Sequence, residues 1–177
     1  NEVLGEETLL LFGKEAIEDE LLRIQFNISP KSFFQVNPVQ TEVLYSKVLD
    51  FGKFTKNDNV IDAYCGIGTI SLVVAPHVKH VYGVEVVEDA IKDAKGNASH
   101  NQITNVTFVC NEAEKQIGLW HQEGIKADAI IVDPPRKGCD IKLLETIVEM
   151  KISKLIYVSC DPATLARDLK YLINHGF

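Results

Sequence analysis

The sequence has no long hydrophobic run, no paired-cysteine spacing and no excess of positive charge. In 177 residues the longest apolar runs, such as 72–75 and 130–132, are far too short to cross a membrane. The chain opens with Glu2, Glu6 and Glu7, where a secretory signal would be basic and then apolar. Four cysteines occur without a CxxC spacing, which predicts neither a disulfide framework nor a metal site. These absences predict a reduced, cytoplasmic protein without a metal centre.

Charge and composition limit the partners and the class. Eighteen Lys and Arg residues against 25 Asp and Glu residues give a net charge of −7, which argues against broad non-specific nucleic-acid binding by this chain alone. Hydrophobic residues make up 46% and charged residues 24%, as in ordinary globular proteins. The length suits one domain with a substantial core.

Both ends of the sequence suggest a part of a longer protein. The first residue is Asn1 rather than a methionine, and Gly176 follows a predicted helix while Phe177 would begin another apolar element. We therefore expect the chain to be truncated at its C-terminus, with functional residues outside it.

The opening third of the chain is predicted to be β-rich and antiparallel. Strands are expected at 8–12, 21–28 and 32–36, and the second of these alternates apolar and polar residues. Asn37 followed by Pro38 predicts an N-cap and the first turn of a helix that continues to about residue 50. These patterns divide the chain into a β-rich segment, 1–37, and a second domain, 38–177.

From residue 59 onward, strands and helices alternate. Apolar strand-like runs occupy 60–61, 81–84, 106–109, 129–132 and 155–158, and helical stretches lie near 69–76, 88–101, 112–120, 140–150 and 162–174. Continuous apolar strands, each followed by a helix, are typical of a parallel sheet that is buried on both faces. The predicted fold is therefore a Rossmann-like α/β domain with a mostly parallel sheet and helices on both faces. In such folds ligands bind at the carboxyl ends of the strands.

The first two of these strands end in residues suited to a nucleoside-type cofactor. Gly66 and Gly68 permit a tight turn after the first strand, and Glu85 ends the second, where a carboxylate can accept hydrogen bonds from ribose hydroxyls. The third glycine of the NAD fingerprint is missing. The D-x-x-x-G-x-G pattern resembles instead the first motif of S-adenosyl-L-methionine (SAM) methyltransferases. Glu112, after the third strand, matches the acidic position that those enzymes use near the adenosine.

The fourth and fifth strands deliver an aspartate and a cysteine to the same edge. Asp133 precedes two prolines and the basic pair Arg136 and Lys137, a combination that can bind the amide-like edge of a base. Cys160 lies just before a helix predicted to begin at Pro162, where the helix dipole favours a thiolate.

The other three cysteines are predicted to have packing roles. Cys65 lies within the glycine turn, and Cys110 and Cys139 are interpreted as small buried hydrophobic residues.

Taken together, these segments resemble the RNA uracil-5-methyltransferase family, in particular its members that act on 23S ribosomal RNA. The matching stretches are 32–37, 62–68, 133–138 and 157–168. The resemblance implies SAM as cofactor, contacted by Gln35, Tyr64, Glu85 and Asp133, and a nucleophilic role for Cys160. It also implies an RNA partner with a flipped or single-stranded target uridine, close to Gln35 and Asp133.

Three features of the family are not found in this sequence. The family's general base is a glutamate in a motif that would follow Phe177, and its RNA-binding β-barrel and the iron–sulfur cluster of many members are not in this sequence. Two alternatives stay open: a methyltransferase acting on an amino group of adenine or glutamine, and a SAM-binding domain without turnover. Arg136 and Cys160 argue against the first, because amino-group enzymes usually place an aromatic residue after the prolines and need no cysteine.

Overall fold

The computed structural model describes residues 9–177. Its elements are β1 (Ile17–Leu21), β2 (Ile24–Ile28), α1 (Pro38–Gly52), β3 (Asn59–Ala63), α2 (Thr69–Val74), a short 3-10 helix (Ala75–His77), β4 (His80–Glu85), α3 (Glu88–His100), β5 (Val106–Cys110), α4 (Ala113–Gln122), β6 (Ala129–Val132), α5 (Ile141–Glu149), β7 (Leu155–Tyr157) and α6 (Pro162–Asn174). Over residues 9–177, none of the helices is long and apolar enough to cross a membrane.

A five-stranded sheet forms the centre of the molecule and confirms the predicted α/β fold. Its strand order is β5-β4-β3-β6-β7, and every pairing is parallel. The central strand β3 and its neighbour β6 are buried on both faces, since Val60, Ile61 and all of β6 are fully inaccessible to solvent. The chain moves outward from β3 to β5 and then returns to β6 on the other side of β3. This reversal creates a switch point between β3 and β6, where ligands bind in folds of this kind.

The predicted antiparallel segment exists, but the structure draws its strands differently. A single strand over 21–28 is wrong, because Leu22 and Arg23 form a two-residue turn with φ angles of 50° and 68°. Positive φ at both turn residues is the geometry of tight hairpins, yet the sequence lacks the Asn-Gly signal that usually announces it. Four of the five residues of β1 lie between the predicted strands 8–12 and 21–28, where no strand is predicted, and only Leu21 is buried.

Two other predicted strands are wrong within the described residues. Residues 9–12 are irregular, with Leu11 and Phe12 almost fully exposed, and residue 8 of that prediction lies outside the described residues. Residues 32–36 are also irregular; Phe34 packs against the ring of Phe26 at 6.0 Å, while Phe33 is exposed. Aromatic residues there serve packing and surface roles rather than a strand.

Side chains of α3 and of its C-cap residue, Asn101, bind the backbone of β2 and so fix the hairpin on the domain. Asn97 accepts a hydrogen bond from the Asn27 N–H at 2.8 Å and donates one to its carbonyl at 3.2 Å. Asn101 makes the same pair of bonds with Gln25, at 2.9 and 2.7 Å. Four residues of helix rise about 6 Å and two residues of strand about 6.6 Å, so the two amides match alternate strand positions. The helix thereby covers an otherwise open strand edge.

Candidate active site

A cleft opens at the carboxyl ends of β3 and β6, on the switch point of the sheet. Four predicted site residues line it: Gln35, Tyr64, Gly66 and Asp133. Gln35 reaches it from the irregular segment between the hairpin and α1, and the other three follow strand ends. The sequence motifs that are far apart in the chain therefore meet at one place.

The glycine turn after β3 has one glycine for packing and one facing open space. A side chain at Gly68 would lie 2.9 Å from the ring of Phe108, so that position is closed by the core. No atom lies within 4 Å of the corresponding position at Gly66, where φ is +54°. Tyr64 also has a positive φ, 66°, a conformation that is costly for a residue with a side chain. The turn thus leaves exposed backbone at Gly66 that a ligand can approach.

Glu85 is held beside this turn by three backbone donors. One carboxylate oxygen accepts the Gly66 N–H at 3.2 Å, and the other accepts the N–H groups of Val86 and Val87 at 2.8 and 3.0 Å. The side chain stays partly exposed. A carboxylate fixed in this way next to open space is suited to accept ribose hydroxyls.

Asp62 is a candidate site residue that the sequence interpretation did not select. It is 1% exposed, one oxygen accepts the Ser71 hydroxyl at 2.5 Å, and the other oxygen is buried without a hydrogen-bond partner among the described residues. Burial, reinforced by the charges of Asp133 and Glu85, raises the pKa of Asp62 to about 7. Two signals for it were available: Asp62 is the first residue of the D-x-x-x-G-x-G pattern, and it lies within a mainly apolar strand.

Asp62 helps to line the cleft, and its buried Oδ1 accepts no hydrogen bond from the described residues, so a cationic donor near this carboxylate would be stabilised. Burial also raises the pKa of Asp133 to about 6. SAM carries an ammonium and a sulfonium group as well as ribose hydroxyls, and the donor and acceptor set of this cleft fits it. Within residues 9–177 no group of His, Cys, Asp and Glu side chains is arranged to hold a metal ion.

Glu112 lies outside the residues that line the cleft. It precedes α4, is exposed, and forms an ion pair with Lys115 at 2.8 Å. The preceding residue, Asn111, donates its N–H to the Glu85 carbonyl at 3.0 Å, so Glu112 belongs to the next strand end along the sheet. A contact between Glu112 and the adenosine stays a prediction.

Cys160 is exposed at the start of α6, where the predicted helix is confirmed. Asp161 caps that helix by accepting the N–H groups of Ala163 and Thr164 at 2.8 and 3.2 Å. The Ser159 hydroxyl accepts the Asp161 N–H at 3.1 Å and donates to the Asp161 carbonyl at 2.9 Å. The residues on both sides of Cys160 are therefore held by hydrogen bonds, and its thiol is open to solvent.

The sheet brings Cys160 and Asp133 to neighbouring strand ends. The Val158 N–H donates to the Val132 carbonyl at 2.8 Å, so Asp133 follows this bond by one residue and Cys160 by two. Cys160 does not itself line the cleft that contains Asp133.

Two of the three remaining cysteines are buried, as predicted. They are Cys65, in the glycine turn, and Cys139. The prediction that Cys110 is buried is wrong: it is exposed, because it ends β5, the edge strand of the sheet.

Comparison with known proteins agrees with this geometry. The family model of the tRNA (uracil-5-)-methyltransferases matches residues 6–176. An uncharacterised RNA methyltransferase of Listeria monocytogenes is 55% identical over 177 residues, which are 100% of this chain and 39% of that protein. A Staphylococcus aureus protein with the same description is 50% identical over 168 residues, 95% of this chain and 37% of that protein.

Solved structures give the same fold. The tRNA (uracil-54, C5)-methyltransferase of Pyrococcus abyssi, crystallised with S-adenosyl-L-homocysteine (SAH), superposes with a TM-score of 0.77 at 31% identity and covers 91% of this chain and 38% of that one. A SAM-dependent methyltransferase of Agrobacterium tumefaciens shares the fold alone, with a TM-score of 0.70 at 21% identity over 95% of this chain and 60% of that one. The chain spans only 39% of the length of the Listeria relative. Because the family model matches nearly all of it, the chain belongs to the tRNA (uracil-5-)-methyltransferase family.

Proposed function

We propose that the protein containing this chain transfers a methyl group from SAM to carbon 5 of a uridine in RNA, through a covalent cysteine–uracil intermediate. The observation that carries this proposal is the position of Cys160: an exposed thiol at the start of α6, on the strand end next to Asp133. An amino-group methyltransferase has no use for a nucleophile at that place.

The residues of the cleft and its edge have separate roles toward the cofactor. Glu85, which does not line the cleft but is bonded to the Gly66 N–H at its edge, would accept the ribose hydroxyls, and the carboxylates of Asp62 and Asp133 would face the positively charged end. Tyr64 and Gln35 line the same cleft and would complete its walls. When bound, SAM supplies an electrophilic methyl group on its sulfonium.

Cys160 solves the chemical difficulty that carbon 5 of uracil is a poor nucleophile. Its thiolate adds to carbon 6 and forms a C–S bond, which turns the ring into an enolate with nucleophilic character at carbon 5. After carbon 5 has gained the methyl group, a base removes the proton that remains there. The C–S bond then breaks, the 5,6 double bond re-forms and the thiolate leaves. The resemblance implies a glutamate as this base, from a motif that would follow Phe177.

Uridine-containing RNA with fluorine at carbon 5 tests the proposal directly. Fluorine takes the place of the hydrogen at carbon 5, and a base cannot remove it as it removes a proton. The C–S bond therefore cannot break by this route, and the methylated adduct should persist and migrate as a protein–RNA complex on a denaturing gel. The whole protein, SAM and 5-fluorouridine-substituted RNA should form it, and the Cys160→Ala variant should not. Parallel reactions with 23S ribosomal RNA, which the resemblance implies, and with tRNA would identify the RNA class.

Two results would contradict the proposal. Methyl groups recovered on adenine or glutamine, without any adduct, would favour the amino-group alternative. SAH binding without methyl transfer to any RNA or protein would favour a domain that binds the cofactor but has no turnover.

A further inference from the structure

Asp168, on α6, is a buried carboxylate that the proposed chemistry does not use. It is 1% exposed. One oxygen accepts the Cys139 N–H at 2.8 Å and the Tyr157 hydroxyl at 2.6 Å. The other accepts the Nε of Arg167 at 2.8 Å and lies 2.7 Å from its Nη2. The negative charge is thus fully surrounded by donors, and breaking this arrangement would leave it uncompensated in the interior.

These bonds join three segments of the active edge. Cys139 is the last residue of the loop 134–139, which follows Asp133. Tyr157 is the last residue of β7, and Arg167 lies on α6 with Asp168. Arg167 also donates to the Lys137 carbonyl at 2.9 Å, which gives the loop a second attachment. We call the set formed by Cys139, Tyr157, Arg167 and Asp168 the α6 clamp.

Gly138 shows how closely the loop approaches the clamp. Its φ is +80°, and a side-chain carbon at this position would lie 2.5 Å from Arg167 Nη2 and 2.7 Å from the Asp168 carboxylate. Only glycine therefore fits between the loop and the ion pair. Burial and the neighbouring carboxylate raise the pKa of the Tyr157 hydroxyl far above its ordinary value, so the hydroxyl remains a donor.

We propose that Asp168 is a positioning residue that holds the loop 134–139 against α6 and thereby fixes Cys160 relative to Asp133. None of the hydrogen bonds of the clamp involves either of these two residues. The clamp contacts the chain on both sides of Cys160, at Tyr157 before it and at Arg167 and Asp168 after it. It also binds the loop 134–139, which follows Asp133, through the Cys139 N–H and the Lys137 carbonyl. This inference rests on the proposed function, since it assigns the clamp an effect on the step in which Cys160 adds to the base.

The test compares Asp168→Asn with Leu172→Ala in the whole protein. Leu172 lies one turn further along α6, is 1% exposed and makes no bond in the clamp, so its truncation destabilises the same helix by loss of packing alone. Both variants are assayed at equal distances below their melting temperatures. Three quantities are measured: the rate of adduct formation with 5-fluorouridine RNA, SAH affinity by calorimetry, and amide hydrogen exchange in 134–139.

Asp168→Asn should slow adduct formation by roughly tenfold to a hundredfold, the range expected when reacting groups are misplaced by about 1 Å. SAH affinity should change by less than about threefold, because no hydrogen bond of the clamp involves Asp62, Gly66 or Glu85. Exchange in 134–139 should rise clearly, while Leu172→Ala keeps both the rate and the exchange near wild type. Tyr157→Phe, which removes one donor and retains the ring, serves as a milder second variant and should shift the same readouts by less.

Two outcomes would overturn the proposal. In the first, Leu172→Ala slows adduct formation as much as Asp168→Asn does, which would mean that the clamp contributes only stability. In the second, exchange in 134–139 is unchanged in both clamp variants. If wild-type protein forms no adduct, the proposed function fails, and the exchange measurement still decides whether the clamp holds the loop.

Discussion

The ionised form of Asp62 destabilises the folded protein but favours the binding of a cationic cofactor. The folded chain holds this carboxyl with a pKa of about 7, well above the ordinary 3.8, because it is buried. The unfolded chain therefore binds fewer protons between these values, and the stability contributed by this group is lost as pH rises from about 4 to 7. Above pH 7 the folded protein carries a buried charge with one unsatisfied oxygen.

Replacing that charge should stabilise the protein without cofactor. We expect Asp62→Asn to raise the free energy of unfolding at pH 8 by about 1–3 kcal/mol, and by less at pH 5, because the shifted pKa is the source of the gain. The same variant should bind SAM more weakly. Urea unfolding at the two pH values and calorimetry with SAM measure both effects. A loss of stability at pH 8 would show that the amide cannot replace the carboxylate beside Ser71.

Cys160 is exposed, so its truncation should affect the reaction but have little effect on stability or on SAH binding. Surface substitutions usually change stability by less than about 0.5 kcal/mol, so Cys160→Ala should melt like wild type and keep its SAH affinity. Methyl transfer should be abolished. Cys110→Ala is the matched control, since Cys110 is also exposed at a strand end, and it should methylate RNA at the wild-type rate. A wild-type rate for Cys160→Ala would make the covalent mechanism wrong.

Among the secondary-structure elements, α3 is the one that fixes the hairpin. Asn97 is 1% exposed and makes two part-buried bonds to the backbone of Asn27, so alanine there would leave that N–H and carbonyl without their protein partner. We expect Asn97→Ala to lower the free energy of unfolding by about 1–3 kcal/mol. Asn101→Ala removes the same kind of bonds nearer solvent, where water can replace them, and should cost less. Denaturant unfolding measures the loss in the free energy of unfolding for each variant. Equal losses would mean that burial does not affect the contribution of these side-chain bonds to stability.

The sequence predicted the parallel sheet well because burial on both faces leaves a local record. Each strand from β3 to β7 contains a short run of mainly apolar residues, and helix starts such as Asn37-Pro38 and Asp161-Pro162 carry their capping residues in the sequence. The hairpin leaves a weaker record. The alternation of apolar and polar residues identified β2, but β1 is almost wholly exposed and no turn motif marks the boundary between the two strands. The edge of β2 is bound by side chains about 70 residues away, which no local pattern reveals. The clamp around Asp168 escaped prediction for the same reason, because its partners are brought together only by the fold.

Across the whole molecule, the sheet directs three carboxylates to one edge. Asp62, Glu85 and Asp133 come from three adjacent strands, and their mutual repulsion adds to burial in raising the pKa of Asp62. Asp62 and Asp133 line the cleft, and Glu85 lies beside its glycine turn, so the cleft favours cations. This preference depends on the ionisation of Asp62 and Asp133, whose pKa values are about 7 and 6. Protonation below these values removes negative charge from the cleft and should weaken cation binding.

SAM and SAH are a matched pair of ligands for testing the charge of Asp62 and Asp133, because they differ only in the methyl group and the sulfonium charge. We expect SAM affinity to rise as pH increases from 5.5 to 7.5 and then to level off, since a cation binds best to ionised carboxylates. SAH keeps the ammonium group but lacks the sulfonium, so its affinity should rise less over the same range. Calorimetry with both ligands at several pH values measures the two slopes, and Asp133→Asn should make the SAM slope shallower. Equal slopes for SAM and SAH would mean that the sulfonium lies away from these carboxylates, and affinities independent of pH would mean that neither carboxyl titrates on binding.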